Sequence, residues 1–233
     1  AEARDFTIHA VRWPVFAGVH GEGLLLKPTG KAVARIILLP DADQTPEMLA
    51  GLADGVAPVS QAALRFAQLG CEVAVPVLID RGCAFSGNPA LHIRTDEPHR
   101  EWLYRMSFEM GRHVIGYELQ KVFALVDWMA RMSHADGAPI AVAGYGEGGL
   151  LAMSAAALDT RIRAALVSGA MRNRNRVWEE PIYRNVFGLL REFGDAEIAT
   201  LIAPRRLVVE YSRYPQLSGE KALRPGVRKV AAP

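Results

Sequence analysis

The run Gly144-Tyr145-Gly146-Glu147-Gly148-Gly149 puts glycines where a chain turns sharply and packs closely. An apolar run, residues 139–143, precedes it and a small-residue stretch, 150–157, follows. Strand, tight turn and helix in that order make a nucleophile elbow, whose motif is G-x-S-x-G. Here the serine position is Gly146 and the next residue is Glu147. The turn that would present a hydroxyl presents none, and a carboxylate stands beside the gap. Carboxylates recur where other strands should end: Asp41 and Asp43, Asp80, and Glu210. Glycoside hydrolysis needs two carboxyl groups flanking a bond, one protonated and one ionised. Glu147 at a helix start suits the ionised role, because the dipole there favours negative charge. The acid partner needs a pKa raised by burial or a like charge, and Asp80 or Glu210 could supply it, with Asp41 a further candidate.

Gly146, Tyr145, Asp43, His99, Arg81 and Trp178 are the candidates for substrate contact; an indole face can stack on a sugar ring. Each residue also has a structural reading. Glu147 could only stabilise its helix start. Asp41 and Asp43 could cap the helix that follows. Asp80 beside Arg81, and Glu210 near an arginine, could be plain ion pairs. His99 could be a loop hydrogen-bonder.

Residues 6–15 and 19–26 alternate and read as an antiparallel pair. Residues 34–40 form a continuous apolar run, as in a strand buried on both faces. Thr45-Pro46-Glu47 reads as a helix start. A helix over 59–69, a strand over 71–80, and a Gly/Ser/Asn/Pro/His-rich loop over 81–99 follow. Long irregular loops at strand ends are often functional. A helical pattern runs from 100 to 132, with Gly111 and Gly116 expected to mark a break between two helices. After the elbow come a strand over 163–169, a polar excursion over 171–188, a short helix from Asp195 and a strand over 206–211. Strands alternating with helices imply a doubly wound, mostly parallel sheet.

Strand order, the elbow, the segment Tyr104-Arg105-Met106-Ser107-Phe108-Glu109-Met110-Gly111-Arg112 and the run Ile202-Ala203-Pro204-Arg205-Arg206-Leu207-Val208-Val209 resemble α/β-hydrolases of the acetyl xylan esterase and dienelactone hydrolase type. The resemblance implies an α/β-hydrolase-like sheet over residues 1–213. It places 104–112 as the helix before the elbow strand and 202–209 as the penultimate strand. It puts the family's nucleophile on Gly146. It also implies a catalytic histidine after one more strand, yet no histidine follows Tyr211; the six lie at 9, 20, 92, 99, 113 and 134. The last strand is therefore expected to be absent, with residues 214–233 a Pro/Gly/basic tail or linker.

The chain has 233 residues, 50% hydrophobic and 22% charged, enough for a large core. A formal charge of +2 asks for no nucleic acid, and no apolar run is long enough for a bilayer. Cys71 and Cys83 make no disulfide framework. Neither a metal nor a cofactor is expected. The opening Ala1-Glu2-Ala3 is compatible with a secreted or periplasmic chain and equally with trimming.

Three functions stay open on this reading. The first is a hydrolase with a remodelled cleft, acting on a small-molecule or saccharide substrate, with glycosidic hydrolysis through carboxylates including Glu147. The second is a catalytically degenerate scaffold or binding module. The third is a carbohydrate esterase completed by a partner or a further segment. An exposed sheet edge is usually covered, so a homo-oligomer is also expected.

Overall fold

The sheet that carries the elbow has seven strands in the order β1-β2-β4-β3-β7-β8-β9. These are β1 (Phe6–Phe16), β2 (Val19–Pro28), β3 (Arg35–Leu39), β4 (Glu72–Pro76), β7 (Ile140–Tyr145), β8 (Ile162–Ser168) and β9 (Arg206–Glu210). Between β4 and β7, the two-residue strands β5 (Gly87–Asn88) and β6 (Ile93–Arg94) make a small separate hairpin. The structure is a computed structural model and describes residues 1–214; the tail reading, beyond its first residue, lies outside them.

β1 and β2 pair antiparallel, and β2 lies antiparallel to β4. From β4 onward the pairings are parallel. β3 is buried along its whole length, as the unbroken apolar run predicts. The expected α/β-hydrolase-like sheet is present. β9 pairs with β8 on one side, and among the described residues no strand lies on its other side.

Seven helices accompany the described sheet: α1 (Pro46–Leu49), α2 (Ala62–Gln68), α3 (His99–Glu109), α4 (Val114–Asp136), α5 (Glu147–Leu158), α6 (Leu189–Glu192) and α7 (Asp195–Thr200). One core layer joins the sheet to α4 and α5 through Val122, Val126, Met129, Leu151 and Ala155. The other joins it to α1 and α2 through Leu49, Ala63 and Ala67. Thr45 caps α1 by accepting from the Met48 N–H, with Pro46 at the first turn, as read from the sequence.

The helical pattern over 100–132 splits once. α3 ends before Gly111, which has φ +66°, and α4 starts from His113, whose ring accepts from the Ile115 N–H. Gly116 does not break α4; its missing side chain faces open space, and one glycine costs a helix only about 1 kcal/mol. The helix before the elbow strand is accordingly α4, and most of residues 104–112 belong to α3.

Below the sheet, Arg35 is 2% exposed and bonds Glu72 at 3.1 Å and both carboxylate oxygens of Asp136 at 2.8 and 2.5 Å. This triad ties β3 and β4 to the end of α4.

Candidate functional site

The elbow geometry follows from how closely its parts pack. A Cβ on Gly144 would lie 2.1 Å from the Gly148 carbonyl oxygen, and one on Gly148 2.1 Å from the Leu39 carbonyl oxygen. Real side chains are never that close, so α5 can enter between β3 and β7 only with glycine at both places. Gly146 sits at φ +58°, ψ −119°, a conformation that costs other residues of order 1–3 kcal/mol. Its N–H donates to the Ser168 carbonyl at 3.0 Å.

Glu147 begins α5 and is 1% exposed. Its Oε1 accepts from Arg184 Nε at 2.7 Å and from Arg81 Nη2 at 3.1 Å, and Arg184 Nη2 pairs with it at 2.5 Å. Its Oε2 has no hydrogen-bond partner; Arg100 Nη2 lies 4.0 Å away. Burial pushes the Glu147 carboxyl up, but Arg184, Arg100 and Arg81 together outweigh it and hold the group at about 2. It is a fixed anion inside an arginine cage.

Arg81 is the hub. Its Nε donates to the Tyr183 hydroxyl at 2.9 Å. Its Nη1 donates to Asp41 and Asp43, both at 2.7 Å, and its Nη2 to Asp41 and Glu147, both at 3.1 Å. All five donors of a guanidinium are thereby used, and the side chain is fully buried. Asp43 also accepts from the Arg81 main-chain N–H at 3.0 Å. Asp41, 3% exposed, accepts the Glu147 main-chain N–H at 2.9 Å. In an elbow, the N–H of the residue after the nucleophile is one of the donors that binds an oxyanion. Here the protein's own carboxylate holds that donor.

A second layer encloses the first. Arg100 and Glu118, both fully buried, form a bidentate pair at 2.7 and 2.5 Å. The Arg100 guanidinium lies 5.0 Å from the centre of the Tyr183 ring. Burial pushes the Tyr183 hydroxyl up to about 12, with the Glu147 charge adding to it. Glu180 accepts from Arg174 at 2.6 Å and Arg184 at 3.3 Å, and Arg174 bonds Asp195 at 3.0 Å. The network pins the excursion after β8 onto the elbow.

Of the residues singled out from sequence, Glu147, Asp41, Asp43 and Arg81 come together, with Gly146 at the turn. They bind one another rather than facing solvent, and Arg81 offers no free donor. The others lie elsewhere. Asp80, 44% exposed, accepts from the Gly82 N–H and stands 3.6 Å from His99 Nδ1. Glu210 accepts from Ser168 Oγ at 2.5 Å, and Ser168 is 2.8 Å from Ser212 Oγ. The Tyr145 hydroxyl donates to the Arg213 carbonyl. Trp178 is 72% exposed, on a single helical turn of the excursion. Among the described residues no cluster of three or more His, Cys, Asp or Glu is arranged to hold a metal ion.

Sequence reasoning passed over Arg184, Tyr183, Arg100, Glu118 and Glu180. Glu118 did leave a signal. It shares the buried stripe of α4 with Val114, Val122 and Val126, and an acid on an apolar stripe demands a buried cation.

No protein-family model matches the sequence, and no curated protein does. Solved structures that match it in shape include carbohydrate esterases at low identity. A proposed acetyl xylan esterase of Bacteroides fragilis NCTC 9343 superposes with a TM-score of 0.68 at 19% identity, covering 89% of this chain and 60% of that one. Acetyl xylan esterase 1 of Thermoanaerobacterium sp. JW/SL YS485 gives 0.56 at 15%, covering 90% and 69%. The glucuronoyl esterase of Solibacter usitatus gives 0.53 at 14%, covering 90% and 68%. The chain thus spans about three-fifths of the Bacteroides protein's length. The likeness is one of fold, and that fold is α/β-hydrolase-like.

Proposed function

We propose that this chain is a carbohydrate-associated α/β-hydrolase-fold module whose elbow is a structural junction, so that it binds saccharide without cleaving it. The observation that carries this is the Asp41 carboxylate on the Glu147 N–H at 2.9 Å. A carboxylate there would repel the oxyanion of acyl transfer. Gly146 brings no hydroxyl to attack with. The structural neighbours act on carbohydrate esters by name, which is the reason to look for a saccharide ligand. Trp178 and the Asp80–His99 pair, all reachable by solvent, are the groups we assign to its contact.

Glycosidic hydrolysis through Glu147, with Asp41, Asp80 or Glu210 as partner, needs a carboxyl pair facing a cleft. The caged state of Glu147 speaks against it. An esterase completed by a partner or a further segment has one observation in its favour. Ser168, Glu210 and Ser212 form a hydroxyl–carboxylate cluster at the carboxyl ends of β8 and β9, and among the described residues no strand lies on the far side of β9.

The test is a panel of chromogenic acetyl esters and glycosides alongside calorimetric titration with xylo-oligosaccharides. No turnover, with saturable binding weakened by Trp178→Ala, is expected. Turnover that Glu147→Gln abolishes while the fold is kept would restore the glycosidase reading. Ester turnover that disappears in Ser168→Ala would favour the completed esterase.

A further inference from the structure

Away from the strand ends, α5 poses a separate problem. After its first turn the helix has one polar residue, Ser154, which donates back to the Leu150 carbonyl at 2.9 Å. A helix apolar all round needs cover on every side. The sheet and α4 cover its inner face. Its outer face lies under the excursion after β8, and the two do not close on each other. Between them lies a cavity of about 390 Å³. Leu119 on α4 and Leu150, Met153 and Ala157 on α5 form its floor, and Leu189 and Phe193 its roof. Protein interiors seldom leave a space larger than a water molecule, whereas ligand pockets begin near 300 Å³.

The inner end decides the chemistry. Arg174, Arg184 and Asp195 reach the wall there, but each is already paired: Arg174 with Asp195 and Glu180, Arg184 with Glu147 and Glu180. His113 also reaches the cavity. Its Nδ1 accepts the Ile115 N–H, and its Nε2 lies 3.2 Å from the Asn185 carbonyl. Among the described residues that line it, no unmatched cation waits for a carboxylate or phosphate, and no unmatched anion for an amine. At the mouth the lining is apolar and open: Leu158 is 67% exposed, Leu201 48% and Leu190 41%.

We infer that this cavity is a binding site for an uncharged, apolar small molecule, an alkyl chain or an unsubstituted aromatic ring. The inference does not depend on what the elbow does. The network around Glu147 enters only as the cavity's inner wall, closing it toward the strand ends.

The test is a fluorescence titration of the full chain with N-phenyl-1-naphthylamine, a neutral apolar probe. One saturable site is expected. Ala157→Phe on the floor and Leu189→Trp on the roof should each weaken it about tenfold or more, with the far-ultraviolet spectrum and melting curve retained. Leu189 is at the rim, so its variant carries the test alone if Ala157→Phe does not fold. 1-Decanol should displace the probe, and decanoate should do so at least about tenfold less well. Unsaturable binding, binding unchanged in folded filled variants, or decanoate equal to decanol would each overturn the proposal. So would sedimentation showing a dimer that Leu189→Trp dissolves, which would make a second copy of the chain the occupant.

Discussion

Glu147→Gln separates a structural anion from a catalytic one. The amide keeps the side chain's size and removes its charge, leaving Arg81 and Arg184 facing a neutral group in a site 1% exposed. Removing one partner of a buried ion pair costs about 3–5 kcal/mol. The carboxyl itself gives a second route to the size. Holding it at about 2 in place of 4.5 corresponds to about 3 kcal/mol at neutral pH. Since the folded value is depressed, that stability is fully present above pH 4.5 and is lost as pH falls toward 2. Urea unfolding of both proteins at pH 7 should show the variant weaker by about 3 kcal/mol, and its melting point roughly 6–12 °C lower. The gap should shrink steadily below pH 4.5 as the parent gives up the same charge. A loss under about 1 kcal/mol, or a gap that does not change with pH, would refute the caged-anion account. A catalytic carboxylate would instead leave stability nearly untouched and remove turnover.

Three further perturbations probe other parts of the argument. Gly146→Ser should lower stability by about 1–3 kcal/mol through backbone strain and yield no hydrolysis of p-nitrophenyl acetate; measurable activity would mean that the Asp41 contact does not block the turn. Arg35→Met should cost about 3–5 kcal/mol by stranding Glu72, 3% exposed, while Arg35→Met with Glu72→Leu should recover most of it, as read by urea midpoints. Burial lowers the His113 pKa, so the unfolded chain takes up the proton first and stability should decline as pH drops through 6.5. His113→Asn, which keeps a capping acceptor, should flatten that limb between pH 7 and pH 5 in melting curves.

The sequence exposed what depends on local spacing. The strand–turn–helix of the elbow, the fully buried β3 and the Thr45-Pro46 helix start all follow from runs of neighbouring residues. Pairing across the fold was hidden. Asp41 meets Glu147 across 106 residues and Arg81 meets Tyr183 across 102, and nothing near any of the four names its partner. Residues 171–188 read only as a polar excursion because their order comes from ion pairs to the elbow rather than from periodicity. Gly111 and Gly116 looked alike as helix breakers. Only Gly111 takes a positive φ, because the chain must reverse there before the His113 cap.

On the proposed reading, the shape of the elbow has its cause in packing. Gly144 and Gly148 stand where any side chain would collide with main chain 2.1 Å away, so the turn cannot drift without separating α5 from β3 and β7. Packing preserves the shape whether or not a hydroxyl sits at the tip. Burial of the turn leaves the Glu147 N–H, at the start of α5, in need of an acceptor that water cannot supply. Asp41 fills that need internally, and its negative charge demands Arg81 in turn. The donors of Arg81 that Asp41 does not take go to Asp43, Tyr183 and Glu147, and Glu147 then holds Arg184 of the excursion. Each added charge is tolerable only because the next one is present. On that reading, placing a single serine at the turn does not make a site for acyl transfer, because freeing the Glu147 N–H means removing Asp41 and so leaving Arg81 short of a carboxylate it bonds twice.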